Sequence, residues 1–222
     1  MEAPIDAGGP SRPPSENAAA TLPALDVPLL FSTSRLVELP AIHLARASDG
    51  SAPRLATALR IGLREGVLLV RFDGRDEAAV ATHTRRDGPL WTEDVFEVFL
   101  TPHDPPTIYY EFEVNPLGTV FDARIESPTL VRPTICVDVL WNCRGFTARA
   151  ERREERWSAL LRIPLCALEP PPGARWRANF FRVDRASPDE FSAWSPIGEP
   201  VDFHTATRFG FLRFDGSDVP AV

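Results

Sequence analysis

The chain has 222 residues and a formal net charge of −7, with 44% hydrophobic and 25% charged residues. This composition is ordinary for a folded domain, and the length suits one large β domain or two small ones. The negative charge argues against a nucleic-acid partner, whose phosphates the protein would repel. No stretch approaches the ~20 apolar residues of a membrane-spanning helix, so we expect no membrane partner either.

The start of the chain and its three cysteines bear on the cellular compartment. Met1–Pro4 opens without the basic and apolar regions of a signal peptide, so we predict a cytoplasmic location, or secretion if the start codon is misassigned. Cys136, Cys143 and Cys166 cannot all pair within one chain, and their spacing fits no zinc template. We therefore expect free thiols, no metal-binding motif and no cofactor.

Residues 1–28 are rich in Pro, Ala, Gly and Ser and carry few large apolar side chains. Such a segment cannot bury enough apolar surface to offset the entropy lost on ordering, so we predict a disordered tail. The folded domain is predicted to cover residues 29–222.

The folded part shows short apolar or alternating runs that are bounded by turn residues, a pattern typical of strands. The predicted strands, in chain order, are Leu36–Leu39, Gly66–Gly74, Ala78–Thr84, a strand within Leu90–Leu100, Thr107–Asn115, Thr119–Arg124, Phe146–Glu151, Trp157–Ile163, Trp176–Arg185, Phe191–Trp194 and Phe209–Phe214. Ala41–Arg54 is ambiguous, and Leu165–Leu168 is at most one helical turn. These elements predict an all-β, single-domain, antiparallel β-sandwich.

Thr107–Asn115 alternates cleanly, so its side chains divide between the two faces of a sheet. The predicted core face carries Tyr110, Phe112 and Val114, and the polar face carries Tyr109, Glu111, Glu113 and Asn115. The same parity groups Trp91, Glu93, Val95 and Glu97. If the last two groups share one face, an aromatic side chain and several carboxylates converge there; the alternative is a solvated sheet surface.

Five motifs in this order resemble carbohydrate-binding module family 9, and most closely its stand-alone family 9-like branch. They are Trp91–Phe99, Tyr110–Gly118, Trp176–Arg182, Ser192–Pro196, and Phe203-His204 before Phe209-Gly210. The resemblance spans roughly Leu29 to Phe214. It implies a DOMON-like, immunoglobulin-like sandwich with no catalytic residues that binds a mono- or oligosaccharide, in studied modules at the reducing end of a glycan. Some members of the family also hold structural calcium.

The ligand-binding residues that the resemblance implies are Trp91, Glu97, Glu113, Asn115, Arg182 and Trp194. Trp91 and Trp194 would form the two walls of a slot, because the C–H faces of a pyranose lie well on aromatic planes. Glu97 would accept hydrogen bonds from sugar hydroxyls. Glu113 departs from the family pattern, which has an arginine there, and Arg182 is a candidate replacement. The alternatives are that both tryptophans are core residues and that Arg182 forms a structural ion pair with Asp184.

Several functions therefore remain open. We favour a non-catalytic sugar-binding domain linked to carbohydrate catabolism. The Glu113 departure leaves room for an interaction module that has lost its sugar site. A glycosidase needs two carboxylates that flank the scissile bond, and adjacent strands hold Glu97, Glu111 and Glu113 only ~5 Å apart. A haem-binding DOMON domain is disfavoured because Met1 is the single methionine and the chain has no lysine.

Overall fold

The structure is a computed structural model that describes residues 21–170, 174–185 and 187–214. Its strands are β1 Ala24–Val27, β2 Ile42–His43, β3 Ala45–Arg46, β4 Thr57–Arg64, β5 Val67–Arg75, β6 Val95–Thr101, β7 Ile108–Val114, β8 Val120–Glu126, β9 Cys136–Asp138, β10 Thr147–Arg153, β11 Arg156–Pro164, β12 Arg177–Asp184, β13 Glu190–Ala193 and β14 Gly210–Phe214. Short 3-10 helices cover Leu36–Glu38, Leu90–Thr92, Leu165–Leu168 and Ala206–Arg208. None of the helices within these ranges has the length and apolar composition that crossing a bilayer requires.

Within the described ranges the strands form two sheets, which confirms the predicted β-sandwich. The larger sheet has nine strands and runs β1-β14-β12-β6-β7-β8-β9, with β13 bonded to β12 and β3 bonded to β13. The smaller sheet has five strands in the order β10-β11-β5-β4-β2. The pairing is antiparallel except between β1 and β14, which run parallel.

The main core lies between the two sheets. Phe96 of the larger sheet stacks on Trp157 of the smaller one, with ring centroids 3.8 Å apart, and on Phe72 at 4.7 Å. Gly74 is required at this contact, because a Cβ there would lie 2.9 Å from the Phe96 ring. The predicted core face of β7 is confirmed, since this core also contains Tyr110, Phe112 and Val114.

The predicted tail is partly wrong. Residues 1–20 lie outside the described residues, but Ala24–Val27 form β1 beside β14, with Val27 buried and Leu25 packed against the main core. The two apolar side chains and the edge of β14 supply the burial and hydrogen bonding that the composition of residues 1–28 alone did not indicate.

Three other local predictions need correction. Leu36–Leu39 was predicted as a strand, but its backbone closes a 3-10 turn in which Leu39 N donates to Leu36 O at 3.2 Å. Ala78–Thr84 is a loop, because the carboxylates of Asp76, Asp94 and Glu93 accept its backbone N–H groups in place of a neighbouring strand. Thr57–Arg64, which the sequence did not mark as a strand, pairs with β5 along its whole length.

Candidate functional site

A cavity of about 530 Å³ opens on the outer face of the larger sheet, the face turned away from the smaller sheet. This face carries a second hydrophobic cluster that includes Phe99, Tyr109 and Phe181. The cavity is lined by Trp91, Glu97, Phe99, Glu111, Phe121, Arg132, Val137, Val139, Val183, Arg185, Phe191, Val201, Asp202, Phe203 and His204. Its size and its mainly aromatic and aliphatic walls with a few charged groups are typical of a small-molecule site.

Strand register brings three carboxylates to the floor of this cavity. Glu97 on β6 lies opposite Glu113 on β7, and the next residue pair on the same face is Phe99 with Glu111. Carboxylate oxygens of Glu97, Glu111 and Glu113 all lie within 4.8 Å of one another. We call these three residues the carboxylate trio. Glu97 and Glu111 line the cavity, whereas Glu113 lies beneath them. The convergence of carboxylates expected from the sequence is therefore confirmed.

Burial dominates the electrostatics of the carboxylate trio. It raises the pKa of Glu97 and of Glu113 well above the usual range, and repulsion from the other carboxylates raises both further. Burial also raises the pKa of Glu111 to about 7, although a hydrogen bond with Glu113 acts in the opposite direction. Apart from the carboxyl groups of the trio, no donor among the described residues reaches Glu97 Oε1 or either carboxylate oxygen of Glu113.

Two arginines supply positive charge in the cavity wall. The Arg185 guanidinium lowers the pKa of Glu97, although burial outweighs this effect, and it lies 5.5 Å from the Phe191 ring centroid. Arg132 binds Asp202 through two hydrogen bonds of 2.6 and 3.1 Å. Acidic and basic groups therefore face the same small volume, which suits a ligand with many hydroxyl groups.

Aromatic rings form the walls around these charges. Trp91, in the turn that precedes β6, is 45% exposed and meets the Phe121 ring edge-on at 5.4 Å. Elsewhere in the lining, Phe203 stacks on Phe181 with centroids 4.0 Å apart, and Phe191 meets Phe203 edge-on. Trp91 is thus the exposed aromatic that the sequence predicted at this site.

His204 closes one end of the cavity. Its Nδ1 lies 2.9 Å from the Tyr109 hydroxyl, and its ring meets Phe99 edge-on at 5.4 Å. Burial lowers the pKa of His204 to about 4, more than the nearby Asp202 carboxylate raises it. The imidazole is therefore neutral at pH 7 and contributes hydrogen bonding instead of charge.

Trp194 does not reach the cavity, so the predicted slot between two tryptophans needs correction. Ala193 lies opposite Phe181 on the outer face, and the next residue therefore points to the other face of the sheet. Trp194 packs against the main core, 5.6 Å from the Phe180 ring, and sits so close to Gly210 that a Cβ there would approach it to 2.5 Å. Its role in the structure is packing, and the other aromatic rings that line the cavity belong to phenylalanines and His204.

Arg182 also points away from the cavity. It is 1% exposed on the inner face, where it donates hydrogen bonds to Asp76 at 3.0 Å and Asp184 at 2.6 Å. The same guanidinium bonds the Arg75 carbonyl at 2.7 Å and the Thr57 hydroxyl at 3.2 Å. The expected structural ion pair is present, and Arg182 does not replace the family arginine in the cavity.

The side-chain amide of Asn115 forms hydrogen bonds only with neighbouring loops and with Glu93 among the described residues. Its amide nitrogen donates to the His83 carbonyl at 2.8 Å and to Glu93 at 2.7 Å. Its oxygen accepts hydrogen bonds from the backbone N–H groups of Leu117 and Thr119. All four positions of the amide are occupied, so no capacity is left for a ligand.

The sequence therefore placed Trp91 and Glu97 at the cavity but not most of the other lining residues. Glu111 was identified by parity but not singled out for ligand binding. Arg132, Arg185 and Asp202 come from loops or strand ends that are distant in sequence, and no local pattern brings them together. The Phe203-His204 pair was part of a recognised motif, which was the one available signal for that wall.

The structure is thus a two-sheet β-sandwich with an aromatic, charged cavity on the open face of one sheet. The chain belongs to carbohydrate-binding family 9, whose sequence profile matches residues 51–214. The structure is similar to that of a candidate carbohydrate-binding protein from Bacteroides uniformis, with a TM-score of 0.70, 19% identity, and coverage of 88% of this chain and 100% of that one.

Two further similar structures are a family 9 module from Caldicellulosiruptor kristjanssonii in complex with cellotriose and with glucose. Their TM-scores are 0.61 and 0.58, at 12% and 11% identity, and each covers 90% of this chain and 98% or 99% of the module. At these identities the likeness establishes the shared fold.

A relative from Arthroderma benhamiae named "Extracellular protein" is 27% identical over 190 residues, covering 78% of this chain and 85% of that protein. The cytoplasmic location predicted from the sequence is contradicted by this relative and is withdrawn. The absence of a recognisable signal in the printed sequence was too weak a basis for it.

Proposed function

We propose that the chain is a non-catalytic domain that binds a mono- or oligosaccharide in the cavity on the outer face of the larger sheet. The single observation that carries this proposal is the combination, within about 530 Å³, of an exposed tryptophan wall with carboxylate and guanidinium groups. Membership of carbohydrate-binding family 9 supports it, as do family 9 modules of the same fold that hold glucose and cellotriose.

Each part of the cavity matches a part of a pyranose. The C–H groups of a sugar face would pack on Trp91, and Phe191 and Phe203 supply further aromatic lining. The hydroxyl groups would donate to Glu97 and Glu111 and accept from Arg185, and such charge-assisted hydrogen bonds are the stronger ones. A role in carbohydrate catabolism stays a prediction.

The arrangement favours binding over hydrolysis. Glycosidases place their two carboxylates on either side of the scissile bond, at least about 5 Å apart. Here Glu97, Glu111 and Glu113 cluster on one side, on the floor, with oxygens within 4.8 Å of one another. The carboxylate in the lining that lies outside the trio, Asp202, is held by Arg132 through two hydrogen bonds.

The test is calorimetry, with tryptophan fluorescence in parallel, against glucose, xylose, cellobiose and their reduced alditols. We expect saturable binding that Trp91→Ala weakens by roughly tenfold or more, because central aromatic anchors dominate such sites. Phe31→Ala is the matched control, since Phe31 is 68% exposed and lies outside the cavity. Weaker binding of the alditols would identify a reducing-end site.

A flat response from folded protein across the panel would contradict the proposal and leave an interaction module as the better explanation. Turnover of aryl glycosides would contradict its non-catalytic part.

A further inference from the structure

Beneath the floor of the cavity lies a buried carboxylate, Glu113, whose hydrogen-bonding neighbour is another acid, Glu111. Glu113 is 0% exposed, and apart from the Glu111 carboxyl no hydrogen-bond donor within the described parts of the chain reaches its side-chain oxygens. Glu97 is 1% exposed, and its Oε1 also has no donor. Buried polar atoms in folded proteins are almost always satisfied, so these three oxygens indicate a missing partner.

A cation is the partner that suits these carboxylates. The three carboxylates have oxygens within 4.8 Å of one another, and ionised groups at this spacing repel strongly in a buried site. No ion pair with an arginine or histidine is found for any of them in the described ranges, whereas Asp76, Asp122 and Asp202 each have a guanidinium. The trio is therefore the part of the cavity whose charge the protein leaves uncompensated.

We propose that Glu97, Glu111 and Glu113 bind one hard divalent cation, of the size of calcium, at the floor of the cavity. Calcium takes six to eight oxygen ligands at about 2.3–2.6 Å, so two oxygens on one ion lie at most about 5 Å apart. The spacing of the trio, within 4.8 Å, satisfies this limit without movement of the strands. Oxygen-only donors also exclude the softer metals that prefer cysteine and histidine.

The cation would have open coordination positions toward the cavity. Glu113 approaches from beneath, and Glu97 and Glu111 are the members of the trio that line the cavity wall. In the absence of sugar, water would complete the coordination of the cation, and adjacent hydroxyls of a sugar would replace that water on binding. This second step rests on the proposed sugar-binding function, whereas the cation site itself does not.

An ammonium group, as in an amino sugar, is the competing occupant, because it also satisfies three carboxylates. The burial of Glu113 favours the metal ion. An ion reaches an oxygen beneath the floor, whereas an ammonium on a sugar ring stays within reach of the two carboxylates that line the cavity.

The first experiment titrates chelator-treated protein with calcium, magnesium or manganese alone, in a calorimeter and without sugar. We expect one ion per chain, and a rise in the unfolding midpoint of roughly 5 to 10 °C at about 100 times the dissociation constant. Glu113→Gln keeps the shape of the side chain and should weaken binding by at least about tenfold. Glu154→Gln makes the same change at an exposed turn and should have no effect.

A second measurement needs no variant. Crystals grown with manganese should show an anomalous difference peak between the three carboxylates. A peak elsewhere, an absence of heat with all three metals, or unchanged binding in Glu113→Gln would each overturn the proposal. Binding of glucosamine, but not of a metal, would assign the trio to an ammonium.

Sugar binding is then measured with calcium and with chelator. Metal binding without any sugar response would leave the cation site standing and remove the proposed function. If the protein binds no metal and its sugar affinity is the same with and without chelator, the cation site is refuted and the proposed function stands.

Discussion

The guanidinium of Arg182 is predicted to stabilise the sandwich and to take no part in ligand binding. We expect Arg182→Met to lower the free energy of unfolding by about 3–5 kcal/mol, the usual effect of removing one partner of a buried ion pair. The substitution leaves the Asp76 carboxylate, which is 5% exposed, without its hydrogen bond from Arg182 Nη2 at 3.0 Å. It also removes the donor that bonds the Thr57 hydroxyl and the Arg75 carbonyl.

Urea unfolding followed by circular dichroism measures this loss. A domain of ordinary stability has about 5–15 kcal/mol, so the variant should remain folded in water unless the wild type lies at the bottom of that range. With an m-value of about 2 kcal/mol per molar, the midpoint should fall by roughly 1.5–2.5 M. Arg175→Met is the control, because the Arg175 side chain is 70% exposed and its pair with Asp104 is a surface one. That change should cost at most about 1 kcal/mol.

Sugar titration of the folded variant separates the structural role from a ligand role. Since Arg182 faces the smaller sheet, affinity should stay within error of the wild type. A wild-type urea midpoint together with weakened sugar binding would refute the reasoning and restore Arg182 as a ligand.

Three further predictions follow from the same geometry. Trp194→Ala should lower the free energy of unfolding by about 3–5 kcal/mol in urea titrations without changing the sugar affinity of folded protein; a loss of affinity at unchanged stability would contradict the packing role. Burial depresses the pKa of His204 to about 4, so the unfolded chain binds a proton that the folded one does not. The stability due to His204 is therefore present above about pH 6.5, and about 1–3 kcal/mol should be lost as the pH falls to 4. His204→Gln should flatten this part of the plot of unfolding free energy against pH. An unchanged plot would contradict the assignment to His204. Hydrogen bonds from the loop and from Asn115 outweigh burial and lower the pKa of Glu93. Glu93→Gln should therefore speed amide hydrogen exchange in Ala78–Thr84 while β7 stays protected. Unaltered exchange in the loop would show that another contact holds it.

Side-chain parity made part of the site predictable. A strand alternates faces with period two, so the order of residues in Thr107–Asn115 was enough to separate Phe112 from Glu111 and Glu113. The same rule applied to Leu90–Leu100 placed Glu97 with the acidic set. Side-chain alternation, together with the family motifs, was therefore enough to predict the carboxylates at the floor of the cavity and the position of Trp91.

Contacts between distant segments were not predictable in this way. The loop Ala78–Thr84 has the composition of a strand, but its N–H groups are taken by Glu93 and Asp94, which lie more than ten residues later. The side of the sheet that Trp194 faces depends on the pairing of β13 with β12, and the register of so short a strand is invisible in its own sequence. Strand β1 was also missed, because its pairing partner β14 lies at the other end of the described chain.

The parallel pairing of β1 with β14 sets Ala24 beside Phe211 and Val27 beside Phe214. A strand of this length measures only about 10–13 Å, so the points where the chain enters at Ala24 and leaves at Phe214 are near neighbours on one sheet edge. A linker of roughly five residues would join them. The domain is thus suited to circular permutation, with new ends opened in the exposed turn at Glu154-Glu155 of the other sheet. For the same reason it can be inserted into a loop of a host protein through one narrow attachment point.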